Sequence, residues 1–164
     1  GDLDGEGELE ALFEDFLVLY ERRIARESRP FPGLVDALDR LAAAGTRFAV
    51  ATNKRERLAR LLLAELGMTD RFARIAGPDT YGAPKPDPRF LDSLMAEIGA
   101  RREATILVGD SRTDRDAARA SGIPIVGVTF GYTDTPMAAL DPDALIDHFD
   151  QLPAAVDRLL PRAA

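Results

Sequence analysis

Apolar residues recur along this chain with two periods that exchange at regular intervals. Leu9, Leu12, Phe13, Phe16, Leu17, Tyr20 and Ile24 fall at helical spacing and form one apolar stripe, which predicts a helix from Leu9 to about Glu27. Acidic residues precede the stripe and Arg22, Arg23 and Arg26 follow it, an order that suits the helix dipole. The run Arg29-Pro30-Phe31-Pro32-Gly33 then breaks the pattern and reads as a stiff linker.

Beyond the linker the periods alternate. Leu34 to Ala44 is predicted helical, with Leu34, Val35, Leu38 and Leu41 on one face and Gly45 as the stop. Arg47 to Thr52 is a short apolar run and predicts a strand. Leu58, Leu61, Leu62 and Leu66 mark a second helix before Gly67, and Phe72 to Ile75 is a weaker strand. A proline-rich loop from Pro78 to Pro88 leads to a third helix carrying Phe90, Leu91, Leu94, Met95 and Ile98, stopped by Gly99. Thr105-Ile106-Leu107-Val108 is continuously apolar, as a parallel strand buried on both faces should be. A short helix from Asp114 to Ala120, a strand from Ile123 to Phe130, a further strand at Leu145-Ile146 and a helix from Val156 to Leu160 complete the reading. Strands alternating with helices predict an α/β fold with a doubly wound parallel sheet. In that class ligands sit beyond the carboxyl ends of the strands.

Composition narrows the chemistry. The chain has 164 residues, enough for one ordinary domain or one domain with a small appendage. Its formal net charge is -7, and the basic residues are scattered, which argues against nucleic-acid or anionic-membrane partners. The absence of cysteine excludes disulfides, thiol nucleophiles and zinc-thiolate sites, and it suits a cytoplasmic setting. No apolar run approaches the roughly 20 residues of a membrane span, and the acidic N-terminus has no signal-peptide pattern. His148 is the only histidine and lies away from the strand ends, so a surface or structural role is expected and a Ser/His mechanism is not.

Three features occupy the predicted strand ends. Thr52-Asn53-Lys54 could hold an anionic oxygen through the Thr hydroxyl and backbone N–H groups. Taken alone, the simpler reading is that Thr52 or Asn53 caps the next helix. Gly109-Asp110-Ser111 with Asp114 places two carboxylates four residues apart around a strand-to-helix turn. Hard oxygen ligands there suit Mg²⁺, which uses few protein carboxylates and keeps its waters. Pro84-Lys85-Pro86-Asp87-Pro88 carries one lysine in a rigid loop. An ammonium fixed near a metal and an anion hole is the clamp used on a transferring phosphoryl group.

In order, Thr52-Asn53, Lys85-Pro86 and Gly109-Asp110-Ser111-x-x-Asp114 resemble the second, third and fourth motifs of the haloacid dehalogenase superfamily. Arg29 to Gly33, Asp79-Thr80, Val128 to Tyr132 and Ile146 to Phe149 resemble its phosphoglycolate phosphatase branch. The resemblance implies a Rossmann-like core with helices on both faces, over residues 30–164, and a residual cap helix and linker over residues 1–29. It also implies Mg²⁺-dependent hydrolysis of a small phosphorylated metabolite through an aspartyl-phosphate. On that basis Thr52 and the Asn53 amide would bind phosphoryl oxygens. Lys85 would neutralise the nucleophile and the transferring group, while Asp110 and Asp114 would hold the metal.

The family's first motif is an apolar strand followed by Asp-x-Asp-Gly-Thr. Gly1-Asp2-Leu3-Asp4-Gly5-Glu6 looks like it, but no apolar strand precedes Asp2, and Glu6 stands where the family has Thr. The expectation is therefore a chain without the nucleophile strand. The strands ending in Thr52 and Asp110 should then be separated by a vacant slot or paired directly with each other. An uncovered apolar face on the 9–27 helix would be left for a second copy in a homodimer, or for the rest of a cap. Besides a phosphatase, the residues allow a catalytically inactive phosphate- or metal-binding fold. A carbon–halogen hydrolase fits less well, because the acidic loop is a phosphotransferase feature.

Overall fold

The computed structural model describes residues 16–19, 25–26, 29–130 and 135–160. Eight strands and six helices lie in these residues. The strands are β1 (Phe16–Leu19), β2 (Ala25–Arg26), β3 (Arg29–Pro30), β4 (Arg47–Ala51), β5 (Arg74–Ala76), β6 (Thr105–Gly109), β7 (Ile125–Val128) and β8 (Ala144–Ile146). The α-helices are α1 (Leu34–Ala43), α2 (Glu56–Glu65), α3 (Pro78–Tyr81), α4 (Pro88–Ile98), α5 (Arg112–Ser121) and α6 (Leu152–Leu159).

Six strands form one parallel sheet in the order β5-β4-β1-β6-β7-β8, and β2 pairs antiparallel with β3 in a separate two-stranded ribbon. The chain steps outward from β1 to β4 and β5, then crosses back and steps outward the other way through β6, β7 and β8. The order therefore reverses around β1, and that reversal opens a crevice at the carboxyl ends of β4 and β6.

Alternation along the strands builds a core on each face. Phe48 and Val50 of β4, Ile106 and Val108 of β6, and Val126 and Val128 of β7 pack with α1, α2 and α6. Ala49, Ala51, Leu107 and Ile125 face the opposite way and pack with α4 and α5. This is the two-layered cover that continuously apolar parallel strands require. The α/β class with helices on both faces is as the sequence predicts, and most boundaries agree within a few residues. The proline-rich stretch is not wholly a loop: Pro78–Tyr81 is one helical turn, and α4 begins at Pro88. Asp87 caps α4 by accepting from the Arg89 N–H, and Pro88 occupies a first-turn position that needs no donor.

The helix expected over Leu9–Glu27 is corrected. Phe16–Leu19 is a strand in the middle of the sheet, and Ala25–Arg26 belongs to the ribbon with Arg29–Pro30. Phe16-Leu17-Val18-Leu19 is a continuous apolar run, and four such residues satisfy a helical stripe and a buried strand equally. Pairing decides the matter, because β1 is parallel to β4 on one side and to β6 on the other. Leu19 stands opposite Val50 and Val108. The expectation of a vacant slot, or of direct pairing between the strands ending near Thr52 and Asp110, is therefore also corrected: β1 fills that slot. Residues 1–5, with the Asp2 and Asp4 look-alike, lie outside the described residues, as do Leu9, Leu12, Phe13, Tyr20 and Ile24.

The linker is held by small contacts. Phe31, Phe130 and Phe149 form an aromatic cluster with ring centroids 5.0 to 6.3 Å apart. The His148 ring lies so close to Gly33 that a Cβ there would stand 2.5 Å from its Cε1. His148 Nδ1 also accepts from the Asp150 N–H at 3.0 Å, so the histidine has the structural role expected of it.

Candidate active site

Three chain segments meet at Lys85. Its ammonium donates to the Ala51 carbonyl, the last residue of β4, at 2.8 Å. It also donates to Asp114 Oδ1 at 2.7 Å, in a pair whose side chains are 0% and 1% exposed. A lysine stripped of water needs such partners, because an unpaired buried charge costs several kcal/mol (about 3–5 when one partner of a pair is removed). The Lys85–Pro86 peptide is cis.

Asp114 is held as firmly as the lysine. Its Oδ2 accepts from the Asp110 N–H at 3.1 Å and from the Ser111 hydroxyl at 3.1 Å. Ser111 Oγ accepts in turn from the Asp114 N–H at 3.2 Å, so Ser111 does cap α5 as well as orient the carboxylate. Gly109 makes this packing fit. A Cβ on it would stand 2.5 Å from Asp114 Cβ and 2.6 Å from Cγ. The missing side chain at Gly109 thus makes room for the Asp114 carboxylate.

Thr52 and Asn53 do not cap the next helix. Thr52 is buried, and its Oγ1 accepts from the Lys54 N–H at 3.0 Å, which closes the turn leaving β4. The start of α2 is served from elsewhere: the Glu56 N–H donates to Asp79 Oδ1 at 3.0 Å. Asn53 turns toward the lysine loop. Its Nδ2 donates to the Lys85 carbonyl at 3.0 Å, and its Oδ1 accepts from the Lys85 N–H at 2.9 Å. No pattern in the sequence points to that pairing, which spans 32 residues.

Asp110, buried at the end of β6, is the other acid of the turn. The donor set suits a hard cation completed by water and substrate oxygens, since Mg²⁺ commonly takes one or two protein carboxylates. Asp110 fits a direct ligand. Asp114 already accepts three hydrogen bonds of the roughly four its carboxylate offers, so it fits a supporting place. No group of three or more His, Cys, Asp or Glu side chains able to hold a metal occurs among the described residues. Asp116, two residues beyond Asp114, pairs with Arg115.

A second charged cluster lies beside this site, along edge strand β5. Glu56 joins Arg60 at 2.8 Å, Arg74 at 3.1 Å and the Thr80 hydroxyl at 2.7 Å. Arg74 also reaches Glu97, which accepts a hydrogen bond from the Tyr81 hydroxyl. Burial alone would push the Glu56 carboxyl up, but the Arg60 and Thr80 hydrogen bonds and the Arg74 charge hold it below the usual range. Burial, then the Glu97 carboxylate, pushes the Tyr81 phenol up.

The chain resembles known proteins over most of its length. It is 44% identical over 160 residues to the phosphoglycolate phosphatase of Agrobacterium fabrum, covering 97% of this chain and 69% of that protein. It is 43% identical over 157 residues to the phosphoglycolate phosphatase of Mesorhizobium japonicum, covering 96% of this chain and 69% of that protein. The crystal structure of a predicted phosphoglycolate phosphatase from Haemophilus somnus superposes with a TM-score of 0.73 at 31% identity, over 77% of this chain and 56% of that one. This chain thus spans a little over half of that solved structure. The haloacid dehalogenase-like hydrolase family matches residues 2–128, from ahead of β1 to the end of β7. The sheet order, the Lys85 junction and these matches agree: the chain belongs to the haloacid dehalogenase-like hydrolases.

Proposed function

We propose that this chain carries the core of a Mg²⁺-dependent phosphate-monoester hydrolase of the phosphoglycolate phosphatase type, working through an aspartyl-phosphate. The observation that carries the reading is the buried Lys85 ammonium, fixed between the end of β4 and Asp114 at the point where the strand order reverses. Charge fixed in advance needs no reorganisation when a phosphoryl group transfers, which is where such a cation acts best. The Thr52 hydroxyl and the Asn53 backbone N–H bind the phosphoryl oxygens at the start of the turn after β4. Lys85 balances the charge between attacking carboxylate and phosphoryl group. Asp110, supported by Asp114, would hold Mg²⁺, which supplies further shielding of two anions that otherwise repel. The substrate class is a small phosphate monoester, and 2-phosphoglycolate is the ester after which the relatives are named.

One observation favours a second reading, a phosphate- and metal-binding fold without a nucleophile. The strand in the central slot is followed in sequence by Tyr20 and Glu21, not by an aspartate. Hydrolysis of p-nitrophenyl phosphate with and without Mg²⁺ separates the two. The phosphatase reading expects metal-dependent turnover that falls at least about a hundredfold in Lys85→Ala and in Asp110→Asn, in line with the loss of one preorganised charge. Loss in Asp2→Asn would identify the nucleophile. A folded parent chain that binds Mg²⁺ and phosphate without turnover would establish the second reading instead.

A further inference from the structure

We infer that Asn53 is a positioning residue for Lys85, and that its side chain sets where the ammonium stands. The inference rests on the phosphatase reading for the use of Lys85, but not for the clamp itself. Asn53 is exposed, so water could satisfy its amide at no cost. Both of its polar groups nevertheless go to the backbone of one residue, donating to the Lys85 carbonyl and accepting from the Lys85 N–H. Only one orientation of the amide satisfies both bonds. The other end of Lys85 is tied to the same strand end, because its ammonium donates to Ala51, two residues before Asn53. The lysine is thus gripped at backbone and at tip by β4 and the turn that follows it, across a gap of 32 residues in sequence.

The same turn is braced on its far side. The Glu56 N–H donates to Asp79, and Gly77 lies so close to this turn that a Cβ there would stand 2.3 Å from the Lys54 carbonyl. Segment 77–85 therefore holds the turn after β4 at two points, and Asn53 is the one that reaches the lysine. A turn that both carries the phosphate-binding groups and locates the cation couples the two without a separate scaffold. A displacement of about 1 Å in such a group is enough to cost on the order of a hundredfold in rate.

The chain has two lysines, Lys54 and Lys85, so lysine-selective NMR of the ¹⁵N-labelled chain reads each ammonium separately. Asn53→Ala should speed exchange of the Lys85 ammonium with water by about tenfold, as expected for losing hydrogen bonds of ordinary strength. Lys54, outside the clamp, should keep its signal. Asn53→Asp retains the acceptor for the Lys85 N–H and should recover part of the protection. With p-nitrophenyl phosphate, Asn53→Ala should lower kcat about tenfold while KM stays within about twofold, the pattern of an interaction needed in the transition state. An unchanged Lys85 signal in Asn53→Ala overturns the clamp. A raised KM at unchanged kcat overturns positioning in favour of direct contact with the substrate. If the parent chain does not turn over, the phosphatase reading fails and the NMR result alone decides the clamp.

Discussion

Two charged clusters stand side by side on this fold, and they do opposite work. Around Lys85 and Asp114 the charges are buried, few and fully oriented, with each side chain held by at least two partners. Along β5 the charges of Glu56, Arg60, Arg74 and Glu97 are partly exposed and form a longer chain of pairs. Desolvation makes the first cluster expensive to build and damaging to break, while water screens the second. A fold seeking stability alone would fill the Lys85 position with an apolar side chain. Retaining a buried ion pair at the strand-end crevice is what a site for anion chemistry requires, and the β5 cluster shows what ordinary surface pairing looks like in the same molecule.

Mutations can break that contrast. Asp114→Ala should have the largest effect, because it leaves the Lys85 ammonium buried beside an empty partner position. Urea denaturation should show a loss of about 3–5 kcal/mol. The double substitution Lys85→Met with Asp114→Leu should lose clearly less than Asp114→Ala alone, since it removes both charges together. A double variant as unstable as the single one would mean that the pair is structural after all. Gly109→Ala comes next, at about 1–3 kcal/mol by the same measurement, since the added methyl overlaps a carboxylate that three hydrogen bonds prevent from moving.

Glu56→Gln should cost the least, below about 1 kcal/mol at neutral pH, and less again at high salt. Its pH dependence has a definite sign. The native carboxyl sits below its ordinary value, so the unfolded chain takes up the proton first as the solution is acidified. The stabilisation is therefore complete above about pH 4.3, the ordinary glutamate value. It is lost as pH falls through the native value, and the gap between parent and Glu56→Gln should close there. A gap that persists at acid pH would show that shape, not charge, accounts for the role of Glu56.

Much of the fold could be read from the sequence because its strands and helices carry local signals. Runs such as Ile106-Leu107-Val108 and stripes such as Leu34, Leu38 and Leu41 state their period within a few residues, and both are buried where that period places them. The stretch Phe16–Leu19 defeats this logic. Its four apolar residues lie within a longer helical stripe, and only pairing with β4 and β6 makes them a strand. The site divides in the same way. Lys85, Asp110 and Asp114 could be singled out from residue type, proline flanks and spacing.

The roles they take up could not. Asp114 has most of its hydrogen-bonding capacity committed to Lys85, Asp110 and Ser111. Thr52 closes its own turn, and Asn53 grips a residue 32 positions away. By itself the sequence determined the layered α/β class and the residue types gathered at the strand ends, because burial periodicity and turn chemistry are local. The tertiary structure alone decided which strand fills the centre of the sheet and which partner each polar group takes. Strand pairing and buried hydrogen bonds depend on groups brought together from distant parts of the chain.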